Sequence, residues 1–383
     1  MPSRNTSPPA WGTPPWAIDF APPPRPLPPE ADVVIVGAGF AGLAAAGWLR
    51  LLDPAKSVVV LEAQHIGAGA SGRTGGMALA ETAAGDLPGL GDVLAGLVKI
   101  LKELDVECDL SLPGAWEIAR HGGTENSLIC WQDAGTLRVA REVPGGTLDP
   151  GKLVSGLARA AHTRGAIILE SHRVRSVAWG KRPVLKVVGG RSGTEAGQIA
   201  AGKVLFATNG LSLELSGLIA GAHPKLTLAT VTAPVSDDRI RALGLAGANP
   251  FYTVDFPYLW GRIRKDNSIV WGAGLVDPPA DGHLEEVNID SAEPAGMFAK
   301  FEKRVHGLHP AAAALEFTHH WGGPILFRDN WEPVFDWHPQ SRNALVLGAF
   351  AGHGVALSNY LGAWAAEVLL GRRSLPDWEK LAR

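Results

Sequence analysis

Six consecutive residues, Gly37-Ala38-Gly39-Phe40-Ala41-Gly42, carry a glycine spacing suited to phosphate binding, and Glu62 follows twenty residues after Gly42. Glycine at 37 permits a tight turn out of a strand. Glycine at 39 lets a pyrophosphate approach the backbone, and glycine at 42 lets strand and helix pack closely. The free N–H groups and positive dipole end of the following helix then face the phosphates. Glu62, with Ala63 beside it, can accept hydrogen bonds from both ribose hydroxyls and repels a 2′-phosphate, so the pattern points to an unphosphorylated dinucleotide. A turn that only packs is the alternative for an isolated motif of this kind.

A second glycine-rich loop, Gly69-Ala70-Ser71-Gly72-Arg73-Thr74-Gly75-Gly76-Met77, comes soon after the acidic residue. A nicotinamide dehydrogenase has no need of it. A flavin does, because its isoalloxazine lies flat against backbone. Near the C-terminus, Gly348, Gly352, His353, Gly354 and Val355 precede a helix. Its unpaired N–H groups and positive end would stabilise the negative charge that reduction places on a flavin edge. His353 either adds to that field, touches substrate, or is a histidine hydrogen-bonded in the seam between domains.

The elements that position these residues follow from periodicity. Asp32–Val36 is a β-branched run of the kind buried on both faces of a parallel sheet. Phe40, Leu43, Ala44, Gly47 and Leu51 mark one apolar helix face, ended by Asp53-Pro54, and 57–62 reads as the next strand. Helices are expected over 90–104, 149–164, 291–305 and 354–370. Strands are expected over 115–120, 166–170, 174–179, 203–208 and 344–347. Residues 225–234 and 251–273 alternate as antiparallel strands, with a turn at Asp266-Asn267. The expected fold class is α/β: a Rossmann-like nucleotide domain assembled from 31–84, 146–215 and 324–383, and a mainly antiparallel α+β second domain from 85–145 and 216–323.

Composition narrows the function. With 35 basic and 38 acidic residues the net charge is −3, which argues against a nucleic-acid or anionic-membrane partner. No apolar run is long enough to span a bilayer. Two cysteines, Cys108 and Cys130, have no zinc-type spacing, and a cytoplasmic location is expected. Eleven of the 29 prolines fall in residues 1–30, an extended arm. Its Trp11, Trp16, Ile18 and Phe20 leave two readings open: docking of 11–20 on the body or on another subunit of an oligomer, or a loose tail.

Taken together, the two glycine loops resemble those of FAD-dependent oxidoreductases of the D-amino-acid oxidase and glycine oxidase superfamily. The stretch Gly348-Ala-Phe-Ala-Gly-His-Gly-Val-Ala-Leu357 is most similar to that of the gamma-glutamylputrescine oxidase-like group. Arg262–Gly272 resembles a hairpin of the same group, and Ala207-Thr208-Asn209-Gly210 its ATG-type turn, while Val174 falls where a strand lies beside the adenine. The resemblance implies FAD, a small-molecule amine or amino acid as substrate, and oxygen or an electron carrier as acceptor; noncovalent FAD is expected because neither cysteine lies beside the ring-binding stretches and His65 falls near the adenosine end. It also implies oxidation of a CH–NH or CH–NH2 group by hydride transfer to flavin N5, giving an imine that hydrolyses. Substrate contacts are sought among Tyr258, Trp260, Trp271, Trp321 and Trp331, and among Arg262, Arg264 and Arg328 as carboxylate clamps; each can equally be packing or surface. A different flavin oxidation, hydroxylating or ring-modifying, and a flavin-binding assembly role remain alternatives.

Overall fold

A computed structural model describes residues 10–123, 125–189, 194–218, 221–280 and 282–378; the ends of the expected arm and of the C-terminal segment, 1–9 and 379–383, lie outside these. The run Glu30–Val36 forms β1, Phe40–Leu52 forms α1 and Val58–Leu61 forms β2. All four residues of β2 and the inner four of β1 are buried, as strands covered by helices require. β1 pairs in parallel with β2 on one side and with Thr194–Phe206 on the other. The parallel series continues to Ile167–Leu169 beyond β2 and to Ser341–Gly348 beyond Thr194–Phe206. Val334–His338 closes one edge in antiparallel fashion, and the meander of His172–Ala178 and Val184–Gly189 runs onto Thr194–Phe206.

A second eight-stranded sheet, mostly antiparallel, draws its strands from 115–143 and 222–328. Its longest pairing joins Ala222–Thr232 to Phe317–Arg328. That last strand runs through the expected boundary at residue 324. Helix Val93–Leu104, expected in the second unit, instead packs on α1 and on the C-terminal helix Gly354–Leu369 of the first. Its apolar positions Leu97, Ile100, Leu101 and Leu104 join the same core as Leu43 and Leu49.

The arm docks on its own body. Trp11 is 1% exposed and lies in the second core. Ala10 accepts from the Ile289 amide at 3.0 Å, and Trp11 from the Gly322 amide at 2.7 Å. The Trp16 indole donates to the Gly72 carbonyl at 2.7 Å and meets Trp321 edge-on, ring centroids 5.4 Å apart. The loose-tail reading therefore fails for 11–20, because two large apolar rings find fully formed seats.

Candidate FAD and substrate site

The C-terminal ends of β1 and β2 open on a narrow cavity of about 100 Å3. Gly37 leaves β1 at φ +107°, a conformation open to glycine, and a Cβ there would sit 2.7 Å from the Ala207 carbonyl oxygen. A Cβ at Gly42 would fall on the Gly37 carbonyl, so the turn and α1 approach as closely as the motif demands. Glu62 lies deep in the protein with one side open to the cavity. Its two carboxylate oxygens accept from the amides of Ala38 and Gln64, both at 2.9 Å. Removal from water pushes its pKa up, while those amides, His65 and Arg173 pull it back. Ribose hydroxyls donated into the same cavity would favour the ionised form further.

Ser71 closes the far end. Its hydroxyl accepts from the Phe40 amide at 2.9 Å, and a Cβ at Gly39 would lie only 2.8 Å from it. Gly69 and Ala70 continue this wall, Ala63 and Val174 form the other, and Ala207, Thr208 and Gly210 close the floor. Thr208 holds its hydroxyl oxygen buried with no partner within the protein, a polar atom waiting for a ligand.

A second cavity of about 570 Å3 shares the walls Gly39, Ala70, Ser71, Ala207 and Asn209 with the first. The two therefore lie side by side, meeting at Gly39 and Ser71. Phe40 and Ala41, Thr74, Gly75 and Met77 line one side of the large chamber, and Gly352, His353, Gly354 and Val355 another. The second sheet supplies the third side, including Tyr252, Trp260 and Leu275. A narrow chamber edged by a carboxylate, beside a wide apolar one, has the form that FAD would need, with the adenosine half toward Glu62 and the ring half toward the second glycine loop and the C-terminal helix. Cys108 and Cys130 are free and line neither chamber; burial pushes the Cys108 thiol up to about 12.

Several expected contact residues act from behind the wall instead. Ala38 uses its amide on Glu62, Gly42 serves packing, and Gly348 abuts Leu218 and Asn209. Gly72 receives the Trp16 indole, and Gly76 accepts from the Leu148 amide. Arg73 reaches the chamber, yet its guanidinium donates to the carbonyls of Ala68, Gly12, Trp11 and Gly322 at 2.8 to 3.3 Å. Burial lowers its pKa to about 10.

The arginine clamp does not form. Arg262 is 6% exposed and lies behind the loop, its Nε donating to the Gly75 carbonyl, with its pKa lowered to about 10 by burial. Arg264 pairs with Asp266 and Ser268. Arg328 lines neither chamber. Of the aromatic candidates, Tyr258, Trp260 and Trp331 line the large chamber, whereas Trp271 and Trp321 are fully buried in the core. His353 faces the chamber, and burial lowers its pKa. Its Nδ1 lies 3.3 Å from the Ala351 carbonyl, which can only accept, so the proton sits at Nδ1 and Nε2 is the basic nitrogen.

Sequence reasoning passed over two residues. Asn209 adopts φ +47° and accepts from the Ala349 amide at 2.9 Å, tying together the turns at 207–210 and 348–353. The Asn-Gly pair within the motif is the signal for it. Tyr252 lies on the chamber wall with its hydroxyl against Glu81 and Glu117. No local pattern marks it, because its partners are 171 and 135 residues away.

Comparison with known proteins agrees with this geometry. The model of the family described as DAO, FAD dependent oxidoreductase, matches residues 32–368. The chain is 25% identical over 390 residues to gamma-glutamylputrescine oxidoreductase of Escherichia coli (strain K12), covering 89% of this chain and 84% of that protein. It is 24% identical over 398 residues to a probable oxidoreductase, OrdL, of Rhizobium meliloti (strain 1021), covering 91% and 85%. In fold it matches the crystal structure of glycine oxidase from Geobacillus kaustophilus, with a TM-score of 0.71 at 18% identity over 93% of this chain and 99% of that one. The chain thus belongs to the DAO family of FAD-dependent oxidoreductases.

Proposed function

We propose that the chain oxidises the C–N bond of an amine or amino acid, with noncovalent FAD held in the two adjoining chambers. When bound, the flavin supplies the two-electron acceptor that takes the hydride from the carbon bearing the nitrogen. The observation that carries this reading is the large chamber itself. It sets the second glycine loop opposite the His353 turn and faces both with an apolar wall, leaving room for a small molecule at the ring.

The protein's own contribution is light. Substrate sheds its ammonium proton to solvent on entry, and His353, held neutral by burial, can accept an N–H hydrogen bond at Nε2 and so orient a neutral nitrogen whose lone pair forms the C=N bond. The apolar wall keeps water from the reacting carbon. The first turn of Gly354–Leu369 points its positive end into the chamber, where it favours negative charge on a ring edge. The imine leaves and is hydrolysed by water, and oxygen or another carrier accepts the electrons. Two free thiols suit a reducing, cytoplasmic setting.

Anaerobic mixing of the yellow holoenzyme with a panel of amines and amino acids tests the reading. Bleaching of the oxidised-flavin absorbance, followed by recovery in air, is expected for the right class. A holoenzyme that no amine or amino acid bleaches, although dithionite does, would overturn it. An oxygenated product would point to a hydroxylating enzyme.

A further inference from the structure

Building on the proposed C–N oxidation, we infer that the substrate is an amine with a bulky apolar or aromatic group and no carboxylate on its reacting carbon. Three independent observations lead there.

The first is the supply of cations. Among the described residues lining the large chamber, Arg73 is the one with a permanent positive charge, and its guanidinium is already engaged by four backbone carbonyls. Arg262 is screened from the chamber by Gly75 and by the indole of Trp260. That indole lies between two glycines: a Cβ at Gly75 or at its cross-strand partner Gly272 would collide with it. A substrate carboxylate brought into such a chamber meets a single cation, whose Nε and Nη1 are already committed to backbone carbonyls, so the bidentate clamp that would offset its desolvation does not form.

The second is the sign of the charge behind the wall. The Tyr252 hydroxyl has one hydrogen and meets two carboxylates, Glu81 and Glu117. Burial and both carboxylates push the phenol's pKa up, so Tyr252 keeps that hydrogen and directs it away from substrate. Arg141 pairs with Glu117 and approaches Glu81 at 3.7 Å, so one cation offsets two anions. On the Tyr252 side of the chamber, away from Arg73 and Arg262, the local charge is therefore negative, which attracts an ammonium group and repels a carboxylate there.

The third is the mouth. Eight large apolar residues are exposed on the described surface, and five of them, Val254, Phe256, Tyr258, Leu275 and Trp331, line this one chamber. Phe256 is 70% exposed and lies 4.2 Å from the Tyr258 ring; Phe327 meets Trp331 edge-on at 5.1 Å. Two aromatic pairs from different parts of the chain thus flank the entrance. An apolar patch gathered at a cavity marks a ligand surface, and rings there stack on an apolar substituent.

The test uses the holoenzyme and two ligands that cannot be oxidised because the carbon bearing nitrogen has no hydrogen: α,α-dimethylphenethylamine and α-methylphenylalanine. They differ in one methyl against one carboxylate. Binding is read from perturbation of the flavin absorbance and from calorimetry. The amine is expected to bind at least tenfold more tightly, and Phe256→Ser to weaken it severalfold. Equal or tighter binding of the amino acid, or binding of neither, overturns the inference. Whether phenethylamine then bleaches the flavin is a separate outcome: binding preference without bleaching leaves the ligand class standing and removes the proposed oxidation.

Discussion

Trp16 offers a direct measure of how far the N-terminal arm supports the cofactor loop. Its indole N–H donates to Gly72 at 2.7 Å, and the neighbouring Trp321 donates to the next carbonyl, Arg73, at 2.8 Å, so two edge-on indoles hold consecutive peptide units of the second glycine loop. Trp16→Phe keeps most of the ring and removes the donor, leaving the Gly72 carbonyl unpaired at a cost of about 1–3 kcal/mol. Trp16→Ala also empties the seat, for a total of about 3–5 kcal/mol. Since the loop lines the ring chamber, a 1–3 kcal/mol loss felt there raises the FAD dissociation constant by about 5- to 150-fold. Fluorescence titration of apoprotein with FAD measures this, and calorimetry should show the alanine variant melting roughly 4–6 °C lower. If Trp16→Ala binds FAD as tightly as wild type and melts within about 1 °C of it, the arm is an ornament on the loop and the reasoning fails.

Other outcomes follow from the same geometry. Glu62→Ala leaves the Ala38 and Gln64 amides unpaired and should weaken FAD binding by about 2 kcal/mol or roughly 30-fold, with Glu62→Gln falling between, by the same titration. Gly42→Ala drives a methyl onto the Gly37 carbonyl and should destabilise the chain by about 3 kcal/mol, seen as a lower denaturant midpoint and a colourless preparation. His353 has a folded pKa below its ordinary 6.5, so the unfolded chain takes up the proton first as pH falls. Wild type should therefore lose stability below about pH 6.5 relative to His353→Gln, and the two melting curves should shift in parallel above about pH 7.5.

Where local chemistry and global fold agree, the sequence was easy to read. Val33 to Gly42 combine a β-branched run, a glycine turn and a helical period, and each dictates its own geometry without distant help. Strand Phe317–Arg328 carries a weak local signal, because Gly322, Gly323 and Pro324 interrupt its middle with residues of low strand propensity. In place it is a long strand whose Gly322 leaves room for Leu226 of the neighbouring strand. The clamp failed for a related reason. Trp260 and Arg262 alternate onto one face of strand Trp260–Ile263, with Arg264 just beyond its end, but only the tertiary fold shows that these residues meet the glycine loop and the arm, Arg262 beneath Gly75 and Arg264 near Pro15. The Tyr252 cluster depends on pairings across more than a hundred residues, which no short window contains.

The seat of the arm also fixes an order of events during synthesis. Residues 10–20 leave the ribosome well before their partners, since Trp11 and Gly12 bond to Gly322 and Arg73, and Gly12 bridges to Trp321. Their seat does not exist until more than three hundred further residues have been made. Trp11 also forms part of the wall of the small chamber. A segment made early is thus among the last to settle, and the cleft stays open on that side until the strand carrying Gly322 has been made.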